Sequence, residues 1–196
     1  MINLIWQIIS LGKTIKKVNK MLVMNASGRL ISPYNLKDKD FDPRIIAQTL
    51  SRVCRFWSQT SEFYSVAQHC LVMETLFDDI ELKRWAMLHE VFEGLTGMDV
   101  PTPIKHSPEM ESYRVAEDKA LIQAAKIFGL TPLMPHEIKI MDKKLMVTEA
   151  LRFMNTENYN WLQIAEPLSL SIIGKPMDMK EAEITFLTRW YELFDN

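Results

Sequence analysis

The residues of this chain that could do chemistry are histidines and acids standing where apolar residues are expected. Over 62–77 a helical stripe runs Val66, Cys70, Met73, Phe77, and His69 falls on it, three residues from Val66 and four from Met73. Over 80–95 the stripe is Leu82, Trp85, Leu88, Phe92, Leu95; His89 lies between Trp85 and Phe92, and Glu93 follows at i+4 on the same face. Glu90 is one residue on, about 100° round the helix axis, close enough for its carboxylate to reach the same point as His89. Over 135–154 the buried side is Ile138, Met141, Leu145, Met146 and Phe153, and Asp142 sits one turn from both Ile138 and Met146. Two histidines and two carboxylates facing an apolar interior cost on the order of several kcal/mol each unless compensated. A divalent metal compensates all four at once, because neutral imidazole and carboxylate are ligands for first-row metals and an open coordination position holds water. The competing reading makes each His a hydrogen-bonded core residue and each acid half of an ion pair. Four such residues on three successive helical patterns favour the metal.

The elements that must position these side chains read as almost wholly α. Helical patterns cover 44–54, 62–77, 80–95, 108–128, 135–154 and 178–194, so we expect an all-α, single compact fold of about six or seven helices. Ser107-Pro108 supplies a cap and a preorganised first residue, and Gly129 can take the left-handed conformation that closes the same helix. Residues 25–43, with Gly28, Pro33 and Pro43, read as an ordered leader loop. Pro101 and Pro103 make 96–106 a non-helical loop. Residues 1–23 form an amphipathic appendage whose apolar run is too short to span a bilayer, and whose lysines follow it, the wrong order for a signal peptide. The domain proper is then 24–196, with a C-terminal helical extension whose Trp161, Trp190, Tyr191 and Phe194 could bury a subunit interface.

Composition narrows the function classes. At 196 residues and 47% hydrophobic, with 6 Gly and 9 Pro, the chain is a globule and not a low-complexity or collagen-like segment. Its 23 Lys+Arg against 25 Asp+Glu leave a net charge of −2, so no basic field draws it to nucleic acid or an acidic membrane. The 2 cysteines, Cys54 and Cys70, make no disulfide framework or zinc-finger spacing, which fits a cytoplasmic protein, in a host cytoplasm if phage-encoded. The 13 Met are adaptable core filling, and His106 and His136 have no assigned role.

The pattern of a first His, an adjacent His-acid pair on the next helix and a distant Asp resembles the HD-domain metal-dependent phosphohydrolases. The likeness extends to Leu50-Ser51-Arg52-Val53-Cys54-Arg55-Phe56, Ser65-Val66-Ala67-Gln68-His69, Leu88-His89-Glu90-Val91-Phe92-Glu93, Asp99-Val100-Pro101-Thr102-Pro103-Ile104-Lys105 and Ile138-Lys139-Ile140-Met141-Asp142. Together these cover about 24–155 and are most similar to the family's nucleotidase branch, including phage enzymes that strip triphosphate from dATP. The resemblance implies an HD-domain fold, His69, His89, Glu90 and Asp142 as ligands of a divalent transition metal (Zn, Mn, Co, Fe or Ni, with a second metal or Mg as an addition), and catalytic roles for Glu93 and Asp99. Glu93 orients water, assists proton transfer or holds a second metal, or else hydrogen-bonds His89. One position departs from the family: Glu90 stands where the pattern has Asp, which implies retuned coordination, since Glu also ligates catalytic zinc.

A nucleotide phosphate needs cations beside the metal, and the matching positions are Arg52, Arg55, Lys105 and Lys139, with Trp57 as a base-stacking surface. The leading expectation is a dNTP triphosphohydrolase acting on dATP or a related dNTP. A 5′-deoxynucleotidase acting on dNMPs is the alternative, separated from it by the number of those cations in the site: three or more favours triphosphate. A third reading, from a different class, is a catalytically altered nucleotide-binding helical module. The partners implied are a deoxynucleotide and further copies of the chain, as dimer or hexamer, with neither nucleic acid nor membrane.

Overall fold

A computed structural model describes residues 21–195 of the chain. The expected appendage therefore lies outside the described residues except at its end, where Val23 already pairs in a small hairpin. That hairpin joins β1 (Val23–Met24) to β2 (Leu30–Ile31), antiparallel, with Val23 opposite Ile31. Gly28 makes its turn at φ +79°. The leader is thus a hairpin followed by a 3₁₀ turn at Asp38–Asp40, more regular than the loop expected of it.

Eight α-helices follow among the described residues: α1 (Pro43–Leu50), α2 (Val66–Glu74), α3 (Ile80–Leu88), α4 (Val91–Thr96), α5 (Thr102–Lys105), α6 (Glu111–Ile127), α7 (His136–Phe153) and α8 (Met179–Phe194). The all-α expectation holds. α1 begins where the Asp42 side chain accepts from the Arg44 N–H and Pro43 takes the first helical position. α2 begins late, at Val66 instead of 62, because Ser65 is its cap and accepts from the Gln68 N–H. Gly129, at φ +70°, closes α6 as expected, and the Leu130 N–H reaches back to the Ala125 carbonyl at 2.8 Å.

Three expectations need correction. The single helix expected over 80–95 is two, because Glu90 leaves helical geometry at φ −102°, ψ 23° and α4 starts anew after it. The loop 96–106 contains the one-turn helix α5, which tolerates Pro103 because a first-turn N–H has no helical acceptor to lose. Ser107 makes no side-chain cap, and its helix opens with a 3₁₀ turn at Pro108–Met110.

The helix α2 is the axis of the fold. Every residue from Val66 to Glu74 is buried. α3, α7 and α8 lie against it, α1 packs on α4 and α8, and α6 covers α4. A helix enclosed on all sides has no polar face to spare, so each polar group on it must find a partner within the protein. Gln68 does so by donating to the Lys175 carbonyl at 2.9 Å and accepting from the Met177 N–H at 2.8 Å, which pins the segment leading into α8. Glu74 pairs with Arg189 of α8 at 2.7 Å.

The C-terminal helix packs into the main core. Phe186 and Trp190 are fully enclosed beside Trp85 in the main core, and Trp190 stacks on Phe194 with centroids 4.3 Å apart. Of the four aromatic residues expected to serve a subunit interface, Trp190 is therefore spent on the chain's own interior, while Tyr191 stays exposed. No helix among the described residues is long and apolar enough to cross a membrane.

Gly94 is where α4 meets α1 most closely. A Cβ there would stand 2.8 Å from Ile46 Cγ2 and 3.3 Å from Leu50 Cγ, and the stiff β-branched Ile46 has no room to retreat. Gly94→Ala should cost roughly 1–3 kcal/mol of stability, read as a lower urea midpoint with unchanged m-value. An unchanged midpoint would show that α1 and α4 pack more loosely than described.

Candidate metal centre

His69 sits in the middle of α2, wholly buried. His89 is the C-cap of α3 and Glu90 the non-helical residue after it, so the break between α3 and α4 falls at the His-Glu pair. Asp142 comes from α7. The ligand atoms of all four converge: His69 Nε2 lies 3.1 Å from His89 Nε2, 3.2 Å from Asp142 Oδ1 and 3.9 Å from Glu90 Oε1, and His89 Nε2 lies 3.7 Å from Glu90 Oε1. All four atoms fit within 4.8 Å of one another. Arms of about 2.0–2.2 Å to a single ion put neighbouring donors at about this separation. These four residues could hold a metal ion.

The hydrogen bonds behind the imidazoles fix which nitrogens are available. His89 Nδ1 donates to the Ala86 carbonyl at 2.7 Å, and His69 Nδ1 donates to Glu149 Oε1 at 2.7 Å. With the proton of each neutral ring held at Nδ1, both Nε2 lone pairs face the same point. Asp142 Oδ1 faces it too, buried and, while the His69 ring is neutral, without a hydrogen bond despite its closeness to His69. Lone pairs converging in this way repel unless a cation lies between them, and the orphaned oxygen is what a metal ligand looks like in a chain without ions.

Electrostatics agree. Burial alone would raise the Glu90, Asp142 and Glu149 pKa values, but His89 and Arg55 for Glu90, and His69 above all for Asp142 and Glu149, outweigh it and hold all three below the usual carboxylate range. Three ionised carboxylates against the one guanidinium of Arg55 leave two negative charges, which a divalent ion neutralises. Without an ion the centre takes up a proton. Burial lowers the His69 pKa and Arg55 lowers it further, yet Glu149 and Asp142 overcome both and carry it up to about 9, whereas burial keeps that of His89 below its ordinary value. The site opens towards solvent on the Asp142 side, where that side chain is 34% exposed against 0% for His69.

The remaining predicted residues divide into near and far. Glu93, on α4, is buried; its Oε1 accepts from Lys105 Nζ at 3.2 Å and its Oε2 has no partner. Burial, with the Glu90 charge, pushes its pKa well up against the opposing pull of Lys105. It does not hydrogen-bond His89, whose Nδ1 is taken by Ala86. The pKa of Asp99 is also raised by burial, and its backbone carbonyl accepts from Trp57 Nε1 at 3.0 Å. Trp57 is exposed and belongs to a left-handed turn in which Phe56, Trp57 and Ser58 have φ of 53°, 53° and 60°, a conformation costing about 1–2 kcal/mol per residue.

The four expected phosphate-binding cations are largely committed elsewhere. Arg55 is buried between Glu90 and Glu149, at 3.2 and 3.1 Å. Lys105 lies between Glu93 and Glu117, at 3.2 and 2.6 Å. Arg52 pairs with Glu183 of α8 at 2.6 Å, and Lys139 is exposed on the first turns of α7. The residue that sequence reasoning missed is Glu149. It lies seven residues after Asp142, two turns along the same helix, and four from both Leu145 and Phe153, so the stripe that located Asp142 also runs through it.

No family model matches the chain. It is 34% identical over 104 residues to the uncharacterized protein YfdR of Escherichia coli (strain K12), a match covering 53% of this chain and 56% of that protein. The chain thus spans just over half the length of the curated relative it matches, and that relative's name states no activity.

The metal-free protein should depend on pH through His69. Its raised pKa contributes stability that is complete below 6.5 and lost as pH climbs through about 9. Thermal unfolding in chelator should therefore fall across that window, and saturating Co(II) or Zn(II) should flatten the slope by taking the proton's place. A slope that persists unchanged with metal would mean the ion binds elsewhere.

Proposed function

We propose that this protein is a divalent-metal-dependent phosphohydrolase acting on deoxynucleoside 5′-phosphates. The observation that carries this reading is the convergence of His69, His89, Glu90 and the buried Asp142 oxygen on one point. The resemblance to HD-domain phosphohydrolases in the segments around these residues supplies the substrate class. An ion bound there would polarise a phosphoryl oxygen and lower the pKa of a water.

The chain's own residues do the rest. With an ion in place of the His69 proton, His69 and His89 would present unprotonated Nε2 atoms, because their Nδ1 protons are held by Glu149 and by the Ala86 carbonyl. Glu93, whose pKa is pushed up by burial and by the Glu90 charge, is placed to exchange a proton with a departing oxygen, with Lys105 holding its carboxyl in place. Asp99 and Trp57, linked through the Asp99 carbonyl, form the adjoining wall. Of the four cations, Arg55 and Lys105 are each engaged by two carboxylates, Arg52 is paired with Glu183, and Lys139 is exposed three residues before Asp142. With three of the four paired with acids, fewer than the three a triphosphate calls for are free to meet phosphate, which favours a monophosphate, the 5′-deoxynucleotidase alternative, over the triphosphohydrolase.

The test is a release assay on metal-stripped protein resupplied with Mn, Co, Zn or Mg, against the four dNTPs, four dNMPs and ATP, with products separated by charge. Phosphate and deoxynucleoside from dNMPs are expected, and His89→Ala and Asp142→Ala should each abolish turnover. Deoxynucleoside with intact triphosphate would restore the longer substrate. Absence of turnover with every metal, or turnover surviving both substitutions, would overturn the reading.

Glu90→Asp probes the departure from the family pattern. The extra methylene lets Glu90 reach Arg55 at 3.2 Å while approaching His89 at 3.7 Å, and Asp cannot span both. The variant should change the order of metal preference, measured as activity across the same metals; an identical profile would show that the longer side chain is immaterial.

A further inference from the structure

Arg55 and Glu149 lie on the core side of the metal centre, away from its opening, and both are buried. Glu149 Oε1 accepts from His69 Nδ1 at 2.7 Å while its Oε2 accepts from Arg55 Nε at 3.2 Å. The far end of the same guanidinium donates from Nη1 to Glu90 Oε1 at 3.2 Å. His69 and Glu90 are themselves ligands whose atoms stand 3.9 Å apart at the centre. The four side chains therefore close a ring, with the metal point on one side and a Glu149–Arg55 bridge on the other.

We propose that this bridge is a strut that sets the spacing of two metal ligands carried on different elements, His69 on α2 and Glu90 at the α3–α4 break. Arg55 is then a positioning residue and not a receptor for substrate phosphate. A planar fork with donors on two edges holds the two carboxylates at a fixed separation and orientation, whereas an ammonium is a compact point charge that would draw both towards one atom. Glu149 contributes twice, fixing the His69 tautomer and anchoring the fork. The inference rests on the metal-centre reading and goes beyond it in assigning these two residues.

The test reads metal affinity with no substrate present. Metal-free protein is titrated with Co(II), followed by the visible absorption of the ligated ion and by competition with a chelator. Arg55→Lys and Glu149→Gln should each weaken Co(II) binding by about 10–100-fold. The double variant should be no weaker than the poorer single, since either change opens the same strut. Far-UV circular dichroism accompanies each titration, and Glu149→Asp, which keeps the charge but retracts the carboxylate, carries the test if Glu149→Gln does not fold. Unchanged Co(II) affinity in Arg55→Lys, with weaker inhibition by inorganic phosphate, would overturn the strut and leave the metal centre standing. Failure of the unaltered protein to take up Co(II) would overturn both.

Discussion

Everything in this fold answers to one unfavourable encounter: two imidazole lone pairs and two carboxylates meeting at a point inside a protein. Nothing in an apolar core tolerates that arrangement by itself. Its tolerance requires positive charge at the point, as an ion or as a proton on His69, and requires elements stiff enough to hold the four groups together against their repulsion.

The stiffness comes from enclosure. Because α2 is covered on every side, His69 cannot swing to solvent, and its ring is held from behind by the equally buried Glu149. The break between α3 and α4 solves a different problem. On an uninterrupted helix His89 and Glu90 point in directions about 100° apart; departure from helical geometry at Glu90 lets adjacent residues serve one centre. α7 then supplies Asp142 to the centre and Glu149 to its back, two turns apart. Arg55 joins the two sides and takes up part of the excess negative charge.

The four converging residues were legible in the sequence because polar residues on an apolar stripe are a strong signal at helical spacing, and His69, His89, Glu90 and Asp142 do meet. The same periodicity hid the break at Glu90, since apolar residues continue in phase through Val91 and Phe92. It also offered Glu149, passed over because a single acid between Leu145 and Phe153 reads as an ordinary interruption without a known partner. The cations were the least legible. Arg52, Arg55, Lys105 and Lys139 look alike in sequence, and only tertiary packing reveals that three of them are paired with acids from distant helices. The aromatic C-terminal helix was read as an outer surface for the same reason: amphipathic spacing gives an apolar face but not what covers it, and here α1, α2 and α3 of the same chain do.

The most direct test of the central claim is anomalous diffraction from crystals of the protein grown with Co(II) or Zn(II), collected at the metal's absorption edge. The account predicts an ordered ion bounded by His69 Nε2, His89 Nε2, Glu90 and Asp142, with Glu149 and Arg55 still joined behind it. An ion bound only elsewhere, or imidazoles hydrogen-bonded to protein groups through Nε2 at saturating metal, would contradict it.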